Sequence, residues 1–299
     1  MPKIHTLDLN FQGVAHTIAA YAIPHHDGVV LIESGPGSTL TNLDAALRQA
    51  GFTPEQVSDV LLTHIHLDHA GAAGALARRG ARIHVHPHGA AHMLDPEKLL
   101  ASAKRIYQEQ MDRLWGQFLP VPEENLHVVA DEEEIEIGGL RFVALDTPGH
   151  ANHHYAYLLD GVCFTGDVGG VRLPGPAHLR LPMPPPDFHI EKWRTSIARL
   201  RRLEIRQVAP THFGIFDDSK WHLRRVADEL DAVERWLEQV MPADPAVDAL
   251  NTQFIAWAEA RSRAEGLDEN ALYGYETANP SWMSAAGMQR YWRKYRAAD

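Results

Sequence analysis

Thr63-His64-Ile65-His66-Leu67-Asp68-His69 places four metal-capable side chains in six positions. The segment lies where a strand-like run, residues 57–63, meets a helical one, residues 70–79. In extended chain His64 and His66 point to the same side, because side chains alternate with a period of two. Asp68 and His69 fall in the turn before the helix and face a second point. One short segment can therefore serve two adjacent cations. Imidazole nitrogen with carboxylate oxygen suits Zn2+, and iron or manganese are chemically admissible.

Three later segments repeat one design, a strand that ends in a potential ligand. They are Leu145-Asp146-Thr147-Pro148-Gly149-His150, Phe164-Thr165-Gly166-Asp167 and Val208-Ala209-Pro210-Thr211-His212. Ligands at strand ends converge on one edge of a sheet. Upstream, residues 13–18, 19–23 and 29–32 read as an antiparallel strand series closed by Gly35-Pro36-Gly37. Residues 39–49 carry apolar side chains at the helical period, with Gly51 as a stop. A strand is expected over 83–85. A helical insertion follows at about 95–119, with Pro96 in its first turn and Pro120-Val121-Pro122 as its end. A second strand-rich half comprises residues 134–137, 140–145, 155–159 and 162–165, with turns at Gly138-Gly139 and Asp160-Gly161. Six prolines between 173 and 186 impose a loop. Helices over 191–203 and 219–240 flank a short strand at 207–209, and the remainder reads as helical.

The 299 residues are 45% hydrophobic and 22% charged, ordinary for a globular protein with one large core or two smaller ones. Twenty-eight basic against thirty-nine acidic side chains give a net charge of −11. Such a field repels nucleic-acid phosphates, so a small-molecule substrate is expected and nucleic acid is not. No stretch approaches the roughly 18 apolar residues of a membrane span, and the N-terminus lacks the pattern of a signal peptide. With Cys163 the single cysteine, an intramolecular disulfide is excluded and a reducing, cytoplasmic setting fits. Cys163 lies in a strand beside Phe164 and reads as a buried small hydrophobe. No nucleophilic triad is evident.

The ordered set His-x-His-x-Asp-His, His after Thr-Pro-Gly, Thr-Gly-Asp and a late His resembles the metallo-β-lactamase superfamily, glyoxalase II-like branch, over about residues 20–215. The resemblance implies an α/β (α+β) protein with the αββα sandwich in residues 1–240 and a C-terminal helical extension, 241–299, packed on it. Position by position, His64, His66 and His150 would bind one metal, Asp68, His69 and His212 a second, and Asp167 would bridge them. Asp68 and Asp167 would thereby serve catalysis as well. Two Zn2+ with these two carboxylates and a bridging hydroxide leave a formal charge of about +1, which attracts oxyanions. Hydroxide of this kind exists near neutral pH because the cations lower the pKa of water. Glu33, in Ile32-Glu33-Ser34-Gly35, stands where the superfamily usually has Asp, and would orient a ligand. His154, four residues after His150, matches a histidine that lines or supports the site in several branches.

The implied activity is metal-dependent hydrolysis of an ester, thioester or related carbonyl compound. A mononuclear iron persulfide dioxygenase using His64, His150 and Asp167 is the alternative of a different reaction class. Lactonase, β-lactamase and phosphodiesterase activities are further alternatives. The remaining histidines, His25, His26, His84, His86, His88, His92, His153, His178, His189 and His222, are expected at the surface or the rim of a pocket. Tyr107, Trp115 and Phe118 are expected to pack in the core, and the basic stretch Arg290, Arg293, Lys294 and Arg296 to form a solvated helix face. The C-terminal helices would cap the site, form a homodimer interface or complete the fold.

Overall fold

Alternation within the strands sorts the apolar side chains into layers. Ala20, Ala22, Val29 and Leu31 join one buried cluster, whereas Ala19, Tyr21, Ile23, Val30 and Ile32, their sequence neighbours, join another. Strands buried on both faces are therefore almost continuously apolar. The computed structural model describes residues 2–297. Strands β1 (His5–Asp8), β2 (Ala19–His25), β3 (Gly28–Ile32), β4 (Val57–Leu61), β5 (Arg82–Val85) and β6 (Leu126–Val128) form one sheet in that order. Its β1-β2-β3 part is antiparallel, and β3 to β6 run parallel. The second sheet has the order β11 (Gln207–Ala209), β10 (Val162–Phe164), β9 (Tyr155–Leu159), β8 (Leu140–Asp146), β7 (Glu134–Ile137).

The central cluster lies between the sheets, with Tyr21 and Ile32 from one and Phe142, Tyr157 and Phe164 from the other. Outside the first sheet lie α1 (Leu40–Gln49), α2 (Leu67–Ala70), α3 (Ala73–Ala77), α4 (Pro87–Leu94), α5 (Glu97–Tyr107) and α6 (Met111–Trp115). Outside the second lie α7 (Ile190–Leu200), α8 (Ser219–Val240), α9 (Val247–Ala264) and α11 (Ser281–Tyr295). Between the last two, α10 (Glu269–Ala278) sends Leu272 and Tyr275 into the central cluster. This is the αββα sandwich. Among the described residues no helix is long and apolar enough to cross a membrane.

The structure differs from the sequence pattern in identifiable places. The first strand is His5–Asp8 and not residues 13–18, where Gly13 and His16 have φ of 76° and 62°, incompatible with extended chain. The helix expected over 70–79 is two short ones, because the Ala72 N–H donates to Gly35 O (2.9 Å) outside the helix. The helical insertion begins earlier, at Pro87, where the His86 side chain accepts the His88 N–H and caps α4. Pro96 stands one position before α5 rather than in its first turn.

Helix α11 lies close against the proline-rich loop. A Cβ on Gly287 would sit 2.0 Å from Met183 O. Gly287→Ala, which in a free helix gains about 1 kcal/mol, is therefore expected to destabilise the protein by about 1–3 kcal/mol through overpacking, read from the denaturation midpoint.

His222 of α8 is fully buried and donates from Nε2 to Gly169 O (2.7 Å), while Arg172 Nη1 lies 3.3 Å from Nδ1. Burial pushes its pKa down to about 4; the Gly169 bond opposes this and Arg172 adds to it. Because the folded pKa lies below that of the unfolded chain, this stabilising contribution is complete above about pH 6.5 and is lost as pH falls towards 4. The stability difference between the protein and its His222→Asn variant should shrink by about 3 kcal/mol over that interval, in urea titrations at a series of pH values.

Candidate metal centre

Strand ends deliver the site. Glu33 follows β3, His64 follows β4, His150 follows β8, Asp167 follows β10 and His212 follows β11, all at carboxyl ends. Asp68 and His69 sit in the single turn of α2. Three hydrogen bonds hold α2 in place from the loop after β3: Ser34 N–H, Ser34 Oγ and Gly35 N–H all donate to His69 O, at 2.9, 2.8 and 3.1 Å. The His212 loop is tied to β2 by Ala19 N–H on Thr211 O (2.8 Å) and by the Tyr21 hydroxyl on Pro210 O (2.5 Å).

Two sets of ligand atoms result. In the first, His64 Nε2 lies 2.9 Å from His66 Nδ1 and 3.2 Å from His150 Nε2, and the latter two are 3.0 Å apart. The second comprises Asp68, His69 and His212, with Asp68 Oδ2 3.5 Å from Nε2 of each imidazole. Asp167 faces both. Its Oδ2 is 3.3 Å from His150 Nε2, and its Oδ1 is 3.4 Å from His69 Nε2 and 3.5 Å from His212 Nε2.

The far side of each ring fixes which nitrogen is free. His64 Nδ1 meets Thr63 Oγ1 (3.0 Å), whose own proton goes to Glu33. His69 Nδ1–H donates to Glu33 Oε1 (2.9 Å), His150 Nδ1–H to Pro182 O (2.8 Å) and His212 Nδ1–H to Thr17 O (2.6 Å). In each case Nε2 is the nitrogen turned into the site, the one left for a metal to take. His69 Nε2 and Asp167 Oδ1 are buried without a hydrogen-bond partner, which a native core rarely tolerates without an ion or water. The donor set fits divalent cations of the zinc type.

The electrostatics agree. Burial, then the neighbouring imidazoles, hold His64 and His66 neutral, His66 down to about 3. Burial alone would raise Asp68 and Asp167, but the facing imidazoles outweigh it and hold both carboxyls well below the usual range. Burial likewise opposes charge on His69 and His212, yet the carboxylates beside them raise both. That negative field is one that retains a cation.

Glu33 also lies near His64 and His69, but its oxygens are taken by donors: Thr63 N–H, Thr63 Oγ1, His69 Nδ1 and Thr211 Oγ1. It orients ligands. His154 accepts the N–H groups of Asp167 and Val168 on Nε2 (3.1 and 3.3 Å), and its Nδ1 meets Thr147 Oγ1 (2.9 Å), so it holds the turn that carries Asp167. Thr63, Thr147 and Thr211 were not singled out in the sequence, although Thr precedes His directly in both Thr63-His64 and Thr211-His212.

The site floors a cavity of about 1000 Å³. His88, His92 and His153 line it, as expected of rim residues. His84, His86, His178 and His222 are instead buried, and three of them meet partners far away in sequence: Asp59 for His84, Glu265 for His178 and Gly169 for His222. Tyr107 and Trp115 pack on each other and also line the cavity, whereas Phe118 is core. Arg296 and Arg293 are paired with acids, Arg296 bonding Glu191 and Glu234 and Arg293 bonding Asp244. Cys163 is completely buried, and burial pushes its thiol up to about 12.

Comparison with known proteins gives the class. The model of the metallo-beta-lactamase superfamily matches residues 14–212, and the chain belongs to that superfamily. It is similar to the hydroxyacylglutathione hydrolase of Xanthomonas campestris pv. campestris, with 30% identity over 148 residues, 50% of this chain and 45% of that protein. It is similar to the atrochrysone carboxyl ACP thioesterase of Aspergillus fumigatus, with 28% identity over 218 residues, 72% of this chain and 55% of that one. The match thus spans about half the length of these curated relatives. In fold it is similar to a metallo-beta-lactamase family protein of Thermus thermophilus, with a TM-score of 0.65 at 22% identity, covering 98% of this chain and 94% of that one.

Glu33→Gln replaces an acceptor of four hydrogen bonds with a group that also donates. Its metal affinity should fall about 10–100-fold, measured by competition with a chromogenic chelator. An unchanged affinity would show that Glu33 does not orient the ligands.

Proposed function

We propose that the protein is a dinuclear zinc hydrolase of esters or thioesters. The observation that carries this reading is Asp167, whose two carboxylate oxygens face two separate ligand sets. His64, His66 and His150 would hold one ion, and Asp68, His69 and His212 the other. Zinc bound there would render a water nucleophilic near neutral pH and polarise a carbonyl oxygen.

The chain's own residues supply the rest. Thr63, Glu33 and the carbonyls of Thr17 and Pro182 keep the ligand rings aligned, so little reorganisation accompanies reaction. Asp68 is partly open to the cavity, where its carboxylate would accept a hydrogen bond from a bound water, while Asp167 is almost fully enclosed. His154, through the turn it holds, keeps Asp167 between the two sets. The cavity suits a small-molecule substrate, and the hydrolase and thioesterase relatives support a carbonyl ester class. A single-iron enzyme would leave Asp68, His69 and His212 without a metal, so the number and identity of the bound ions separate the two readings.

Protein purified without added metal should carry about two zinc atoms per chain by elemental mass spectrometry and hydrolyse members of an ester and thioester panel. Asp167→Asn should bind one zinc or fewer and lower kcat/KM by about a thousandfold or more, since removal of a group acting in concert with others costs as much as losing the set. Near one iron per chain, with oxygen uptake on glutathione persulfide, would overturn the reading in favour of the dioxygenase.

A further inference from the structure

The cavity above the metal floor is larger than hydrolysis of a small acyl group needs. At about 1000 Å³ it is at the upper end of the range for sites that enclose drug-sized ligands. It has two characters. Its floor is His66, Asp68, His150, Asp167 and His212. One wall is apolar and comes from two elements far apart in sequence, the inserted helices α5 and α6 and the first turn of α11. Leu99, Ile106, Tyr107 and Trp115 come from the first element, and Trp282 and Met283 from the second. The two elements touch: the Tyr107 hydroxyl lies 3.5 Å from Met283 Sδ, and the Tyr107 and Trp282 rings meet edge to face at 6.0 Å. The outer lining is charged: Lys98, Arg113 and Lys192 are solvent-exposed, and Asp146 and Asp187 lie on the opposite rim.

An apolar wall continuous with a hydrolytic floor selects what lies beside the scissile bond. The carriers that bear thioesters in biology are polar or anionic, so a carrier is suited to the open side with Lys98 and Arg113. The apolar wall is left for the acyl half. We propose that this cavity is an acyl-binding site and that the acyl group it takes is large and apolar, of roughly ten carbons or more in a chain or fused rings. The proposal rests on the hydrolase reading for its chemistry, but the binding site itself is testable without turnover. Each methylene moved from water to the wall favours binding by about the same increment, so affinity for the product acid rises steeply with chain length.

The test is calorimetric titration of the protein, as purified with its metal, with dodecanoate and butanoate. Both carry the same carboxylate, so its attraction to the floor cancels in the comparison. Dodecanoate should bind at least a hundredfold more tightly and shift tryptophan emission to shorter wavelength, since Trp115 and Trp282 line the cavity. Ser102→Phe, which fills the cavity from the half-buried α5 face, should weaken dodecanoate at least tenfold. So should Trp282→Ala, at a side chain 42% exposed and therefore tolerant of change. Far-ultraviolet circular dichroism establishes that each variant is folded, and failure of one leaves the other to decide. Equal affinity for the two acids, or dodecanoate binding unmoved in the folded variants, overturns the proposal. Chain-length-selective binding without turnover of any ester or thioester would sink the hydrolase reading and leave the acyl site standing. Turnover without such selectivity would do the reverse.

Discussion

A carboxylate with no exposed surface must be met by donors, and Glu33 is met by four. Those donors come from the end of β4, from α2 and from the loop after β11, so one side chain at the end of β3 fastens elements of both sheets to a common point. Each donor is also adjacent to, or is itself, a metal-facing residue. Thr63 relays to His64, His69 is held directly, and Thr211 precedes His212. The positive φ of Glu33, 68°, belongs to this arrangement: the backbone adopts a conformation unfavourable for a residue with a Cβ, and the surrounding hydrogen bonds hold it there.

The centre was legible in the sequence because its chemistry is local. His64 to His69 lie in one short stretch of chain, and the Thr-Pro-Gly-His, Thr-Gly-Asp and Thr-His segments each follow a run whose apolar pattern marks a strand. The sandwich was legible for the same reason, since β2, β3, β8, β9 and β10 are apolar runs bounded by turn residues. What escaped was set by tertiary contacts. Residues 13–18 alternate as a strand would, but Gly13 and His16 turn the backbone away, and pairing falls to the weakly patterned His5–Asp8. His84, His178 and His222 read as surface histidines because Asp59, Glu265 and Gly169 stand 25 to 87 residues away from them. The contribution of the first turn of α11 to the cavity is invisible in sequence for the same reason: Tyr107 and Met283 are 176 positions apart.

Keeping the floor on strand ends while building the walls from an insertion and an extension separates the two demands on an enzyme of this fold. The ligand geometry is fixed by buried hydrogen bonds that tolerate little displacement. The walls sit on helices that are joined to each other across the cavity and carry none of the metal-facing side chains. Changes at their exposed positions alter what enters while those side chains keep their own anchors, which is how one fold hosts many substrates.

The burial of Cys163 in β10 gives the protein a practical property. With its thiol enclosed and its ionisation suppressed, the native chain offers thiol-reactive reagents no foothold. A cysteine introduced at a chosen exposed position would then be the sole labelling site, so a spectroscopic probe could be placed on α5 or on the α10–α11 turn in an otherwise unmodified background. The two sides of the cavity could be followed in solution by that means, with the metal centre left untouched.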